Sequence, residues 1–223
     1  MKKKTLAVLS FVSDLLIFVL TVYSVSRFFF ASGEGNMNVT GAICFRYFTI
    51  DSNTLAALAC LLLLPYEFRR ALGRDERMPP ALGVLKLAGT AGVTITFLVV
   101  IVYLAPALGF ESMFGGSNLY LHGICPVLAV LSFIFFDGGS PLSRKQSLPA
   151  LLPLIIYAIV YTVMVVFITK SRGGWEDFYG LNIGGYWPVS MCILLLLNAA
   201  VVSLLRKTRN RFVTHQKNSH TSV

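Results

Sequence analysis

Long apolar runs alternate along the chain with short polar links. Stretches of about 20 apolar residues, enough to cross roughly 30 Å of hydrocarbon as helix, fall at about 6 to 30, 44 to 65, 81 to 108, 118 to 137, 149 to 169 and 186 to 205. Breakers stand at or between their ends: Pro65, Pro79 with Pro80, Gly115 with Gly116, Gly138 with Gly139, Gly173 with Gly174, and Gly184 with Gly185. Links this short join sequential helices in antiparallel fashion. The pattern predicts an all-α polytopic membrane protein, with a six-helix transmembrane domain over 1–205 and a basic cytoplasmic tail over 206–223. No internal repeat of the kind that marks inverted transporter halves is visible.

Composition strengthens this reading. Of 223 residues, 56% are hydrophobic and 13% charged, against about 25% charged in soluble domains. The net charge of +9 raises the question of nucleic acid, but the cations occupy links and chain ends instead of one groove, which argues against such a partner. Lys2 to Lys4 precede the first span, Arg69, Arg70, Arg74 and Arg77 follow the second, Arg144 and Lys145 precede the fifth, and Arg206, Lys207, Arg209, Arg211 and Lys217 follow the sixth. The alternate links hold few cations or offset them, as Glu176 and Asp177 offset Lys170 and Arg172. The positive-inside rule then puts both termini in the cytoplasm, and the compact basic N-terminus suits a bacterial inner membrane. The first span begins like a secretory signal, but Asp14 and the length of the run favour a retained helix.

Cys44, Cys60, Cys125 and Cys192 are scattered singly through the spans, which suits buried thiols and no metal site, with a Cys44 to Cys125 disulfide left open. Ala88, Gly89 and Gly92 give the third span a small-residue face for close helix approach. Tyr157 and Tyr161 read as bundle packing, and Trp175, Tyr179, Tyr186 and Trp187 as an interfacial aromatic belt.

The informative residues are the polar ones inside spans, since lipid offers them no hydrogen bond. At helical spacing Arg46, Thr49 and Asn53 share one face, with Ser52 adjoining it and Asp51 pointing elsewhere, toward a partner such as Arg27. His122 is the sole histidine in a span and lies level in depth with Thr49. Nearer the other surface, Asp14 and Lys86 read as a structural intramembrane pair. No nucleophile elbow, P-loop, zincin motif or dinucleotide fingerprint is present, so any catalytic site is assembled from helix-borne side chains.

FRYFTIDSN in the second span, with LHGICPVLAVLSFIFFD in the fourth, resembles the six-helix integral membrane proteins related to the androgen-induced and androgen-dependent hydrolases. The resemblance implies a threonine hydrolase of lipid esters, acting on fatty acid esters of hydroxy fatty acids. Its essential threonine falls on Thr49 and its histidine on His122. A threonine hydroxyl becomes nucleophilic when a neighbouring base takes its proton, and histidine can take that proton and pass it to the leaving alcohol. Asn53 or Ser52, helped by Arg46, would donate to the oxyanion, and Asp51 would complete the substrate-binding cluster. No cofactor is implied, and the partners are membrane lipids and the ester itself. Two rival readings use the same cluster: a small transporter or channel, and a non-catalytic lipid-binding protein.

Overall fold

The computed structural model describes residues 3–31, 40–74 and 78–221, the side chains of 3 and 216–221 excepted. Lys2 and Arg77, expected among the basic ends and links, lie outside the described residues, as do the side chains of Lys3 and Lys217. Among the described residues six helices are long and apolar enough to cross a membrane: α1 Lys4–Phe30, α2 Phe48–Ala71, α3 Pro80–Leu108, α4 Ser117–Phe136, α5 Arg144–Ile168 and α6 Trp187–His215. The chain is a multi-pass all-α membrane protein, with no strand among the described residues.

The bundle is apolar on its outside and polar along its seams, as lipid requires. On α1, Ser10, Asp14, Ile17, Thr21 and Ser24 are buried at spacings of three and four, while Val8, Val12, Leu16 and Val19 face outward. Central α3 touches α2, α4, α5 and α6. Every residue from Lys86 to Val93 is buried, which only a helix enclosed on all sides allows. Its small residues permit this. A Cβ built on Gly89 would sit 2.6 Å from the Ala56 Cα, and one on Gly92 would sit 3.0 Å from the Ser52 Cβ, so α2 and α3 cross nearly backbone to backbone.

Four segments widen to π geometry: Val100–Leu104, Tyr120–Ile124, Ser132–Phe136 and Val163–Ile168. Two have an evident cause. Pro106 and Pro126 lack an amide proton, and their rings crowd the carbonyls of Val102 and His122 four residues earlier. The chain relieves the clash by closing wider turns, Ala105 N–H to Val100 O and Cys125 N–H to Tyr120 O. Helix α5 ends at Thr169, whose φ of 62° is strained for a β-branched residue. The Gly174 amide holds the Thr169 carbonyl at 2.8 Å.

Near the face that carries both chain ends, ionic side chains tie the helices together. Lys86 Nζ donates to both Asp14 oxygens at 2.9 and 2.7 Å and to Ser132 Oγ at 2.9 Å. Glu67 Oε1 lies 3.5 Å from the same ammonium and accepts from Ser10 at 2.5 Å. Helix α6 runs on without a break past residue 205, the expected end of the transmembrane domain, to Thr221, and Arg209 and Val213 beyond that residue are buried. Arg209 is buried: its Nε donates to Asp137 Oδ2 at 3.3 Å and its Nη1 to the Ser140 carbonyl at 2.9 Å, and its guanidinium lies 5.1 Å from the Phe133 ring centre. Its Nη2, 3.2 Å from the same carboxylate, is misaligned for a hydrogen bond and contributes charge alone. The helix continues because these buried partners, invisible in a hydropathy count, satisfy the cation.

Candidate functional site

The site begins where α2 begins, and that is later than hydropathy indicates. Gly41–Arg46 is a 3-10 turn, and Tyr47 is extended at φ −95° and ψ 125°, so the helix starts only at Phe48. Arg46 therefore does not continue the Thr49 and Asn53 stripe. No side chain of α2 itself caps this end. The Tyr157 hydroxyl instead donates to the Arg46 carbonyl at 2.7 Å, and the Phe48 amide donates to the Tyr179 hydroxyl at 2.9 Å. A buried helix N-terminus needs partners for its free amides: here the acceptor for the Phe48 amide comes from the link between α5 and α6, while α5 supplies the donor to the Arg46 carbonyl.

That link is a folded lid. Asp177 organises it: Oδ1 accepts from Tyr161 at 2.7 Å and from the Leu181 amide at 2.9 Å, and Oδ2 from the Asn182 amide at 2.8 Å. The Tyr179 amide donates to the Tyr161 hydroxyl at 3.2 Å, which turns the Tyr179 ring into the bundle. Tyr179 thus leaves the expected interfacial belt to become a wall of the site. Lys170 and Glu176 form an exposed ion pair on the outside of the lid, and the hydrogen bond from Lys170 holds the Glu176 carboxyl below its ordinary range.

Thr49 is buried and lines an apolar cavity of about 50 Å³ with Ile95, Val100, Leu154, Tyr157 and Tyr179. The Tyr179 phenol stands beside the Thr49 side chain and amide. Burial pushes this phenol up to about 12, against the opposing pull of Tyr157 and of the Phe48 and Thr49 contacts. It stays a neutral O–H group at any physiological pH.

The remaining residues of the expected cluster divide among different tasks. Asn53 donates both amide protons, to the Thr49 carbonyl at 2.8 Å and to the Leu121 carbonyl at 3.1 Å. It clamps α2 to α4 and has no donor left for an oxyanion. Ser52 bonds Thr96 Oγ1 at 3.0 Å and the Thr49 carbonyl at 3.3 Å, which ties α2 to α3. Asp51 faces a second cleft, and among the described residues its side chain has no hydrogen bond and no ion pair, with Arg27 or any other.

His122 lies in the π turn that Pro126 imposes and is buried. Its Nδ1 is 2.6 Å from the Met113 carbonyl, and its ring meets Phe114 edge to face at 6.4 Å. A carbonyl can only accept, so Nδ1 carries the proton and, in the neutral ring, Nε2 carries the lone pair. Among the described residues no hydrogen bond joins His122 to Thr49. The two flank one apolar cluster that contains Met113, Phe114 and Tyr179, and the Asn53 clamp fixes the backbone of Thr49 beside that of Leu121.

The cysteines are unpaired, Cys44, Cys60 and Cys125 buried and Cys192 exposed. Among the described residues no three His, Cys, Asp or Glu side chains converge as metal ligands would. Ile17, Ala56, Cys60, Val93 and Ala129 pack into an apolar septum between the Thr49 region and the Asp14 to Lys86 group. Compared with known proteins, the chain matches no family model, no curated protein and no solved structure.

Proposed function

We propose that the protein is an intramembrane hydrolase of fatty acyl esters, with Thr49 as nucleophile and His122 as base. The observation that carries this reading is the Met113 carbonyl on His122 Nδ1. It sets the tautomer a general base needs, on a helix clamped by Asn53 to the nucleophile's own carbonyl. The Thr49 cavity is walled by apolar side chains, and its room of about 50 Å³ takes only the reacting end of an acyl ester.

In the reaction, Thr49 Oγ attacks the ester carbonyl carbon as its proton passes to His122 Nε2. The carbonyl oxygen becomes an oxyanion, for which the Tyr179 hydroxyl and the N-terminal dipole of α2 are the supports at hand. Collapse breaks the acyl carbon–oxygen bond, and His122 returns the proton to the leaving alcohol. Water, deprotonated by the same ring, then releases the fatty acid and restores Thr49. A hydrogen bond from Thr49 to His122, which the described residues do not make, forms when substrate is bound, as is common in catalytic sites.

The positive-inside distribution supports placing both termini in the cytoplasm, with the site toward the opposite leaflet of a bacterial inner membrane. A transporter or channel would need polar groups continuous from face to face, and the septum around Ile17 and Val93 interrupts them. The test uses purified protein with a fluorophosphonate probe and a long-chain ester. Labelling and hydrolysis should vanish in Thr49→Ala and fall at least about a hundredfold in His122→Ala. Labelling unchanged in both variants refutes the reading and leaves a lipid-binding protein.

A further inference from the structure

Asp51 serves none of this chemistry. It opens into a second cleft, on the other side of the Phe48 and Tyr157 rings, whose centres stand 5.0 Å apart. The cleft has room of about 180 Å³, against roughly 30 Å³ for one water. The rings of Phe45, Phe48, Tyr157 and Trp175 line the same cleft as Asp51, and Leu55 and Ile156 add aliphatic lining along the α2 to α5 seam. Ile156 is 58% exposed on the outside of the bundle, so the cleft opens sideways between α2 and α5.

Two polar groups here lack the partners a membrane protein normally supplies. The Asp51 side chain has neither hydrogen bond nor ion pair among the described residues. Arg46, whose carbonyl is held by Tyr157 of the same cleft, has a buried Nε with no partner among them. An uncompensated carboxylate at the lipid boundary is costly, and a cation brought by the surroundings would relieve it. The lining selects the kind of cation. A primary ammonium brings three N–H donors that each need an acceptor, and beyond the carboxylate the cleft is lined mostly by rings and aliphatic side chains. A quaternary ammonium has no N–H and is drawn to aromatic faces by their quadrupoles.

We propose that this cleft binds the trimethylammonium headgroup of a membrane phospholipid. The ammonium lies among the four rings against Asp51, the phosphate lies toward Arg46, and an acyl chain follows Leu55 and Ile156 along the seam. This site is separate from the Thr49 cavity, and its occupancy does not depend on hydrolysis.

The test is lipid binding to the full-length protein in detergent, read by native mass spectrometry with phosphatidylcholine, phosphatidylglycerol and soluble phosphocholine as probes. Phosphatidylcholine should bind tightest, and Asp51→Asn should weaken it about tenfold while Asp51→Glu retains it. Phosphatidylglycerol should not respond to either change. Because Asp51 has no hydrogen-bond or ion-pair partner among the described residues, both variants should melt with the parent. Phosphatidylcholine binding that is equal in parent and Asp51→Asn, or phosphatidylglycerol bound as tightly as phosphatidylcholine, overturns the proposal. Phosphocholine bound as tightly as the lipid overturns it in favour of a solute site.

Discussion

Replacing Lys86 by Met tests whether the buried ionic group holds the bundle together. All three ammonium protons are committed, two to Asp14 and one to Ser132, and Glu67 adds a fourth contact at 3.5 Å. Methionine keeps the length of the side chain and removes the charge. Asp14 would then keep Ser132 Oγ at 2.7 Å as its donor, and Glu67 would keep Ser10. Breaking a buried pair from one side costs about 3–5 kcal/mol, because a carboxylate is left without its cation. At about 2–4 °C per kcal/mol for a chain of this size, the melting temperature in detergent should fall by about 10 °C. Removing the stranded charge as well, in Asp14→Leu with Lys86→Met, should recover part of that loss, since the two effects are coupled through direct contact. A scan followed by intrinsic fluorescence or far-ultraviolet dichroism reads both variants. Lys86→Met melting within about 2 °C of the parent, or a double variant no better than the single, would refute the assignment of the pair as a stabilising tie.

Three further outcomes are expected. Burial alone would raise the Asp137 carboxyl, but Arg209, with Lys86 and the Gly139 amide, outweighs it and holds it below the ordinary carboxylate range. Its contribution is therefore complete above about pH 4 and is lost as pH falls through the lowered folded value; the melting temperature should drop on acidification below pH 4, and Asp137→Asn should remove that component of the slope. In Gly89→Ala the new methyl meets the Ala56 backbone at 2.6 Å, and overpacking should destabilise the bundle by about 1–3 kcal/mol in the same scan. If Tyr179 supports the oxyanion, Tyr179→Phe should lower kcat on a long-chain ester about a hundredfold with KM nearly unchanged, and a kcat within about threefold of the parent removes that role from the phenol.

The number of spans and their approximate positions were legible because lipid imposes one strong rule, a run of apolar residues long enough to cross. The close approach of α3 was legible too, since Gly89 and Gly92 leave little else for that face to do. Element ends were less so. Helix α2 begins four residues later than its apolar run because Tyr47 is extended, and no local signal at Arg46 or Tyr47 announces that the cap comes from Tyr179, 131 residues away. Tyr179 looked like an interfacial aromatic for the same reason: its inward turn depends on Asp177 and Tyr161 bonding across the lid. Counting at 3.6 residues per turn also fails near His122. Pro126 was visible, however, and a proline four residues after a buried histidine is a signal that the turn between them widens.

The polar residues of the bundle fall into two groups, and in one of them internal hydrogen bonds occupy donors that sequence spacing offers to a substrate. Near the chain ends, charge meets charge, and Lys86, Asp14, Glu67, Asp137 and Arg209 are satisfied mainly by one another. Around Thr49 the groups are neutral, and each candidate donor was judged by residue type before its protons could be counted. Asn53 and Ser52 have the right chemistry for an oxyanion, yet their donors are consumed in clamping α2 to α4 and α3. Rigid placement of Thr49 is what those bonds provide, and the proposed nucleophile would benefit from it as much as from a donor. The polar stripe on α2 therefore divides: Ser52 and Asn53 tie helices together, Thr49 lines the first cavity, and Asp51, with no hydrogen-bond or ion-pair partner among the described residues, lines the second cleft.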